Sequence, residues 1–291
     1  MTQVGGQAVI EGVMMRCRNR LSIAVRKPDT EILLHEEELR TAGERWPVLK
    51  LPVLRGMVAF IEALALGIRA LTFSANHALE EEEEELSGWQ LTLVMAVSLL
   101  LGIALFFFLP TVLVRLVAGE RTGRPLFLNL FEGGIRITIF LTYIFAISRL
   151  KDVQRVFQYH GAEHKAIFCY EAKEPLTVDN ARRFSPLHPR CGTSFLLLVM
   201  AVSILLFSFF GWPNLLQRLI LRLALLPLVA GISYEIIRLA GRYRVFCWLT
   251  SPGLWLQRLT TREPDDGQLE VAIAALKAVV TEKQTGAPEN V

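Results

Sequence analysis

The sequence predicts an α-helical polytopic membrane protein with about four transmembrane helices, one interfacial or re-entrant helix and a small β-rich N-terminal element. Three observations lead to this prediction. Hydrophobic residues make up 52% of the 291 residues and charged residues 20%. The charges must lie apart from the apolar stretches, because a charge at the centre of a bilayer costs about 2.5–3.5 kcal/mol on insertion scales. The formal net charge is only +3, which is not typical of a nucleic-acid-binding protein.

The N-terminal segment has the pattern of a small sheet. Arg20–Val25 and Glu31–Leu34 flank the Lys27-Pro28-Asp29 turn, which predicts a β-hairpin. The pairs Gly5-Gly6 and Glu11-Gly12 are themselves typical of turns. A basic region followed by an apolar stretch is absent from the first residues, so no cleavable secretory signal is expected.

The segment after the sheet is ambiguous. Met57–Ala75 is apolar but carries Glu62 and Arg69, and we therefore expect an interfacial or re-entrant helix rather than a crossing. The six consecutive glutamates Glu80–Glu85 are typical of a solvated linker or helix face.

Four stretches are predicted to span the membrane, since about 20 apolar residues are needed to cross. The second stretch, Ile135–Ile147 extended upstream to Phe131, carries Glu132 and Arg136 one helical turn apart, where the two side chains can pair. The fourth contains Glu235, and an intramembrane carboxylate is by default a functional-site hypothesis. A salt bridge from Glu235 to Arg238 or Arg149 explains it equally well. The stretches are Trp89–Val114, Ile135–Ile147 extended upstream to Phe131, Thr193–Trp212 and Leu215–Leu239.

The basic residues predict the orientation. Ten Lys and Arg precede Trp89, seven lie within residues 151–192 and six follow Gly241, against three in residues 115–130 and none in 213–217. Four spans place the three basic segments on one side, which the positive-inside rule makes cytoplasmic. We expect a multi-pass protein of the inner or plasma membrane with both termini and the 151–192 loop in the cytoplasm.

Near the C-terminus, apolar residues at helical spacing follow Pro264 and predict an amphipathic docking helix. The expected organisation therefore has six segments. They are the β-rich cytoplasmic element 1–56, the interfacial helix and acidic linker 57–88, the first transmembrane pair 89–150, the cytoplasmic loop 151–192, the second transmembrane pair 193–240 and the cytoplasmic tail 241–291.

Residues 160–164 read His-Gly-Ala-Glu-His, the inverted form of the zincin metal motif. Two histidines four residues apart can bind one ion only on a helix, and the apolar periodicity of the flanking residues predicts one from Lys151 to before Pro175. Glu163 would then lie beside His160 and His164 as a general base. A pair of surface histidines on an amphipathic helix would have the same pattern.

A second candidate set follows about two dozen residues later. His188-Pro189-Arg190-Cys191 supplies an imidazole and a thiol, both of which zinc accepts, and a catalytic zinc site needs three protein ligands. His188, Cys191 and Glu235 therefore compete for the remaining ligand position. The four cysteines lie far apart in sequence, which makes a disulfide framework improbable.

Five motifs spread along the chain carry a resemblance to a known family. They are GGQAVIEGVMMR at 5–16, YHGAEHK at 159–165, HPRCGTSF at 188–195, GISYE at 231–235 and LTTREPDD at 259–266. With these motifs the chain resembles the bacterial YqhQ-like membrane protein family, whose members are described generically as predicted metal-dependent enzymes of unestablished reaction. The resemblance implies that Glu11 and Arg16 belong to the functional region.

The expected function is that of a membrane-embedded, metal-dependent hydrolase that uses Zn²⁺, with a peptidase as one form. The lipid bilayer and an unidentified substrate are the expected partners, and the sequence leaves open whether the protein forms a homo-oligomer. A non-enzymatic metal-binding or metal-transporting protein is the main alternative. A membrane scaffold with structural histidines is the third reading.

Overall fold

The computed structural model of the chain describes residues 4–40, 45–78, 88–118, 125–189, 191–242 and 251–280. The predicted glutamate linker Glu80–Glu85 lies outside the described residues. The predicted β-rich element is a four-stranded antiparallel sheet of order β1-β2-β3-β4. Its strands are β1 Val4–Val9, β2 Gly12–Cys17, β3 Arg20–Arg26 and β4 Ile32–Glu38.

The predicted hairpin is confirmed as β3 and β4, in which Arg26 pairs with Ile32 and Arg20 with Glu38. The turn expected at Glu11-Gly12 is also present at Glu11, which has a φ of 50°. The turn expected at Gly5-Gly6 is wrong, because both residues lie within β1 and pair with Arg16 and Met15. Glycine is needed at position 6 for close packing instead, because a Cβ there would lie 2.8 Å from a carboxylate oxygen of Glu163.

Ten α-helices are described. They are α1 Leu54–His77, α2 Gly88–Ile103, α3 Leu109–Ala118, α4 Pro125–Ile147, α5 Lys151–Glu171, α6 Val178–Arg182, α7 Gly192–Phe207, α8 Leu215–Arg242, α9 Ser251–Thr260 and α10 Asp266–Val280. A π-helical turn, Ala104–Phe108, joins α2 to α3. The predicted helices around the His-Gly-Ala-Glu-His motif and after Pro264 are thus confirmed as α5 and α10.

Both faces of the sheet are covered by helices. Alternation along β2 sends Val13, Met15 and Cys17 into a core with α5 and α10, and sends Met14 to the other face, where it packs with Ala70 of α1. Successive side chains of a strand point to opposite faces, so β2, which is covered on both faces, is apolar except at Arg16. The sheet therefore holds α5 in a fixed position at one end of the helical bundle.

Four described stretches are long and apolar enough to cross a membrane, which is compatible with a multi-pass membrane protein. They are Leu54–His77, Thr92–Val117, Pro125–Ile147 and Leu215–Leu239. The predicted span Thr193–Trp212 is shorter than expected, because α7 ends at Phe207 after 16 residues, or about 24 Å of helix. Helix α1 is the fourth candidate instead, so four described stretches qualify by length and composition, and one of them differs from the predicted set.

Helix α1 connects the bundle with the sheet. Its first turn packs on α8, where a Cβ at Gly56 would lie 2.9 Å from the Cα of Gly231. Its second half contributes Ala70, Leu66 and Phe73 to the core beneath the sheet. The apolar length of α1 suits a spanning helix as well as the predicted interfacial one, and the assignment of residues 57–75 to the interface stays a prediction.

The contact between α1 and α8 generates a test of the fold. Gly231→Ala places a Cβ 2.5 Å from the carbonyl oxygen of Val53, so the two helices must separate, which costs about 1–3 kcal/mol. We expect a clear drop in the thermal midpoint in detergent. Gly134→Ala in α4 is the control, since its Cβ meets nothing within 4 Å and alanine favours a helix. Equal midpoints for the two variants would contradict this packing.

Candidate metal centre

The His-Gly-Ala-Glu-His motif lies in the middle of α5, the helix that the sheet and α10 bury. Tyr159, Ala162 and Ala166 are fully buried on this helix, and His164 is 2% exposed. Gly161 permits the closest approach, because a Cβ there would lie 2.0 Å from the carbonyl oxygen of Arg262. His164 is therefore not a surface residue and His160 is partly buried, which argues against the reading of the motif as a pair of surface histidines.

Backbone carbonyls from two other segments orient both imidazoles. The Nδ1 atom of His160 lies 2.8 Å from the carbonyl oxygen of Thr260, and that of His164 lies 2.5 Å from the carbonyl oxygen of Pro186. A carbonyl only accepts, so each Nδ1 carries the proton and each Nε2 keeps a lone pair. This is the arrangement in which a histidine binds a metal through Nε2.

Cys191 brings a sulfur atom to the same place. Its Sγ lies 3.1 Å from Nε2 of His160, and the ligand-capable atoms of His160, His164 and Cys191 all lie within 4.8 Å of one another. Cys191 is the N-cap of α7, where the backbone N–H of Thr193 donates to the sulfur. Burial raises the pKa of the thiol above its ordinary value.

Glu163 lies beside these three side chains and is only 5% exposed. Burial raises the pKa of its carboxyl to about 8, an effect that His160 and the backbone N–H of Gly6 partly offset. A Cβ at Gly6 would lie 2.8 Å from Oε1 of Glu163, so glycine is needed where β1 passes the carboxylate. The site thus combines a nitrogen–nitrogen–sulfur set with a carboxyl group whose pKa lies near neutrality.

His188 is close to this set but outside it. Its ring centroid lies 5.6 Å from that of His164 and 4.4 Å from that of Phe168, and its Nε2 is 3.5 Å from a carboxylate oxygen of Glu171. The amide of Gln257, which is fully buried, bonds both the N–H and the carbonyl of His188. Burial lowers the pKa of His188 to about 4 and that of His164 to about 3, so both imidazoles are neutral at neutral pH.

Glu235 lies elsewhere. Both carboxylate oxygens accept hydrogen bonds from the guanidinium of Arg55, and the backbone N–H of Val53 adds a third. The structure therefore favours the salt-bridge explanation of Glu235, with Arg55 as the partner instead of Arg238 or Arg149. Sequence reasoning missed Arg55 because it lies 180 residues away on a helix with no predicted contact to α8.

Glu11 lies in the turn between β1 and β2 and Arg16 lies in β2, but only Glu11 contacts the motif helix. The Glu11 carboxylate accepts a forked pair of hydrogen bonds from Arg155 and a bond of 3.2 Å from the hydroxyl of Tyr159, the residue before His160. Arg16 forms a 3.2 Å ion pair with Glu62 on α1. Thr260, Pro186 and Gln257 were also missed from the sequence, because two of them act through backbone carbonyls, which leave no residue-type signal.

The comparisons with known proteins agree with the resemblance described above. The profile of a family described as "Protein of unknown function (DUF1385)" matches residues 51–282. The chain is 39% identical over 295 residues to "Uncharacterized protein YqhQ" of Bacillus subtilis (strain 168), and the alignment covers 95% of this chain and 92% of the relative. No solved structure matches the chain.

The raised pKa of Glu163 has a measurable consequence for the metal-free protein. The ordinary value is 4.5 and the folded value about 8, so between these pH values the folded state holds a proton that the unfolded chain has lost. Stability therefore falls as pH rises through this window, by about 1.4 kcal/mol per pH unit. Glu163→Gln cannot ionise at this position, so its melting midpoint should rise relative to that of the wild type as the pH increases from about 5 to about 8.

The measurement is thermal unfolding of chelator-treated protein in detergent at several pH values. Glu31→Gln is the matched control, because it makes the same chemical change on a side chain that is 77% exposed. The difference between Glu163→Gln and the wild type should widen with pH, whereas the control should track the wild type. Parallel curves for all three proteins would mean that Glu163 ionises normally in the fold.

Proposed function

The chain belongs to the family of proteins of unknown function DUF1385, and we propose that it is a membrane-associated, zinc-dependent hydrolase with its site on α5. One observation carries the proposal: His160, His164 and Cys191 converge within 4.8 Å beside a buried carboxyl group. Substrate hydrolysis is the chemistry that this combination of groups supports best.

The three side chains suit zinc in type and in spacing. Zinc accepts imidazole nitrogen and thiolate sulfur, and a catalytic site uses three protein ligands with one position open. Tetrahedral ligands at ordinary zinc distances lie about 3.3–3.6 Å apart, so small side-chain rotations within the 4.8 Å limit let the three atoms share one ion. The carbonyls of Thr260 and Pro186 would hold the imidazoles in the required tautomer.

When bound, zinc supplies Lewis acidity, which polarises a substrate carbonyl and lowers the pKa of water. The protein itself supplies the proton acceptor. Glu163 lies on the same face of α5 as the two histidines, where its buried carboxyl group can act as a general acid–base group. We assign it the transfer of a proton from water to the leaving group. Because the motif is the inverted zincin motif, a peptide is the substrate class that we propose first.

The same site would face the cytoplasm under the positive-inside rule, and we propose a multi-pass location in the inner or plasma membrane. Metal transport has less support. Among the described residues, Arg136, Arg218 and Arg222 are buried together with the single acid Glu132. The excess of positive charge there opposes the passage of a cation.

Metal content separates the roles of the motif residues. Wild-type protein purified in detergent without chelators should contain about one zinc per chain, and His164→Ala should lose it because a ligand is removed. Glu163→Gln should keep the zinc and lose about 10²–10⁴-fold of any hydrolytic rate, measured on a panel of fluorogenic peptides. His77→Ala is the matched control, since this exposed histidine stacks on Phe73 away from the site. Absence of zinc from the wild type, before and after reconstitution, would refute the proposal.

A parallel set of alanine variants tests the third ligand. Cys191→Ala should reduce zinc content as His160→Ala does, whereas Glu235→Ala should keep the metal and lower the thermal midpoint, because Arg55 loses its partner. Zinc loss in His188→Ala but not in Cys191→Ala would instead make His188 the third ligand. The readout is zinc per chain by elemental analysis, beside the midpoint of unfolding.

A further inference from the structure

A second cluster of buried charge lies far from the metal centre. The carboxylate of Glu132 on α4 is fully buried and accepts hydrogen bonds from three arginines, each exposed by no more than 6%. Arg222 donates to both oxygens at 2.5 and 2.6 Å, Arg136 donates to Oε1 at 3.1 Å, and Arg218 donates to Oε2. We call Glu132, Arg136, Arg218 and Arg222 the arginine cluster.

The arginine cluster lies near the opposite end of the bundle from the histidines. Helix α4 runs from the cluster to its end at Ile147, just before α5. Helix α7 begins after Cys191 and leads to a turn beside the cluster, where the carbonyl of Gly211 accepts a hydrogen bond of 2.9 Å from Asn129. Glu132 and Arg222 each lie seven residues from the first residue of their helices, Pro125 and Leu215. That is about 10 Å along the axis, which places the cluster inside the apolar layer but within one third of its thickness from the edge.

The charges of the cluster do not balance. Three guanidinium groups face one carboxylate, and among the described residues Glu132 is the only acid that pairs with them. Arginine does not lose its proton in proteins, so two positive charges are left over. Aromatic rings lie beside the guanidinium groups, Trp212 under Arg218 at 3.5 Å and Phe207 near Arg222 at 5.5 Å, but they offset such a charge only in part. Uncompensated buried charge is strongly destabilising.

One guanidinium nitrogen is available to a further partner. The Nη1 atom of Arg218 is buried and makes no hydrogen bond to the described residues. Arg218 and Arg222 line a small cavity together with Asn129, Phe207 and Gly211. Leaving a buried, charged donor without a hydrogen bond costs more free energy than leaving a neutral donor without one. Nη1 of Arg218 is therefore the atom to which an acceptor would bind.

We propose that the arginine cluster binds a phosphate-type anion, which accepts a hydrogen bond from Nη1 of Arg218 and compensates the excess positive charge. The planar guanidinium fork matches phosphate oxygens in pairs. An anionic phospholipid and free inorganic phosphate share this chemistry. The proposal does not depend on the hydrolase assignment, since the two sites share no residue.

The test uses the full-length protein, delipidated in detergent, and measures binding through the shift of its thermal midpoint. The three titrants are phosphatidylglycerol, phosphatidylcholine and inorganic phosphate. We expect the wild type to be stabilised by phosphatidylglycerol, and stabilisation by inorganic phosphate as well would identify a free-anion site. Arg218→Gln should weaken the apparent affinity at least about tenfold, because it removes one charge-assisted donor. Arg115→Gln, the same change at an exposed arginine on α3, should leave the affinity unchanged.

Two further variants protect the test against a folding defect. Glu132→Gln raises the excess to three positive charges, so anion binding should become tighter than in the wild type, by about tenfold. Glu31→Gln makes the same chemical change on a side chain that is 77% exposed, and it should not alter anion binding. The proposal is overturned if neither anion shifts the wild-type midpoint, if Arg218→Gln and Arg115→Gln weaken binding equally, or if Glu132→Gln binds the anion no more tightly than Glu31→Gln.

Discussion

The close approach of α5 to the segment after α9 is the constraint on which the site depends. Arg262 donates its backbone N–H to the carbonyl of Phe157 at 2.9 Å, and Gly161 leaves no room for a side chain between the helix and this segment. The same contact places the carbonyl of Thr260, which ends α9, within reach of His160. The last carbonyls of a helix have no partner inside the helix, so the imidazole satisfies a group that would otherwise be orphaned. Packing and ligand orientation therefore arise from one contact.

Much of this arrangement follows from local sequence, and the rest does not. The spacing of His160 and His164 and the apolar periodicity around them were enough to predict a helix with both rings on one face, because helical geometry relates residues four apart. The hairpin was predictable from its turn residues for a similar reason. Contacts between distant segments left no such trace. Arg55 binds Glu235 across 180 residues. The turn assigned to Gly5-Gly6 failed because both residues lie within β1, where Gly6 leaves room for the carboxylate of Glu163.

Helix capping distinguishes the ligand candidates that the sequence left equal. His188 and Cys191 are three residues apart, yet only the sulfur of Cys191 lies with the two imidazoles, because Cys191 caps α7 while Gln257 fixes the backbone of His188. A cap residue points its side chain along the helix axis toward the free N–H groups, which here directs the sulfur to the end of the bundle where α5 lies. The start of the apolar helix α7 thus contributes a side chain to the candidate site on α5.

The N-terminal sheet packs against the candidate site, although the family profile that matches the chain begins only at residue 51. Gly6 donates its backbone N–H to Glu163 and Glu11 bonds Tyr159, so β1 and the turn after it contact α5 on both sides of His160. Glu11 holds a φ of 50°, a conformation that costs a non-glycine residue about 1 kcal/mol or more. Such strain persists only where surrounding contacts compensate for it, and here the compensating contacts are the hydrogen bonds to Arg155 and Tyr159. The sheet therefore holds the carboxyl group at its distance from the histidines, and residues before the matched region contribute to the geometry of the site.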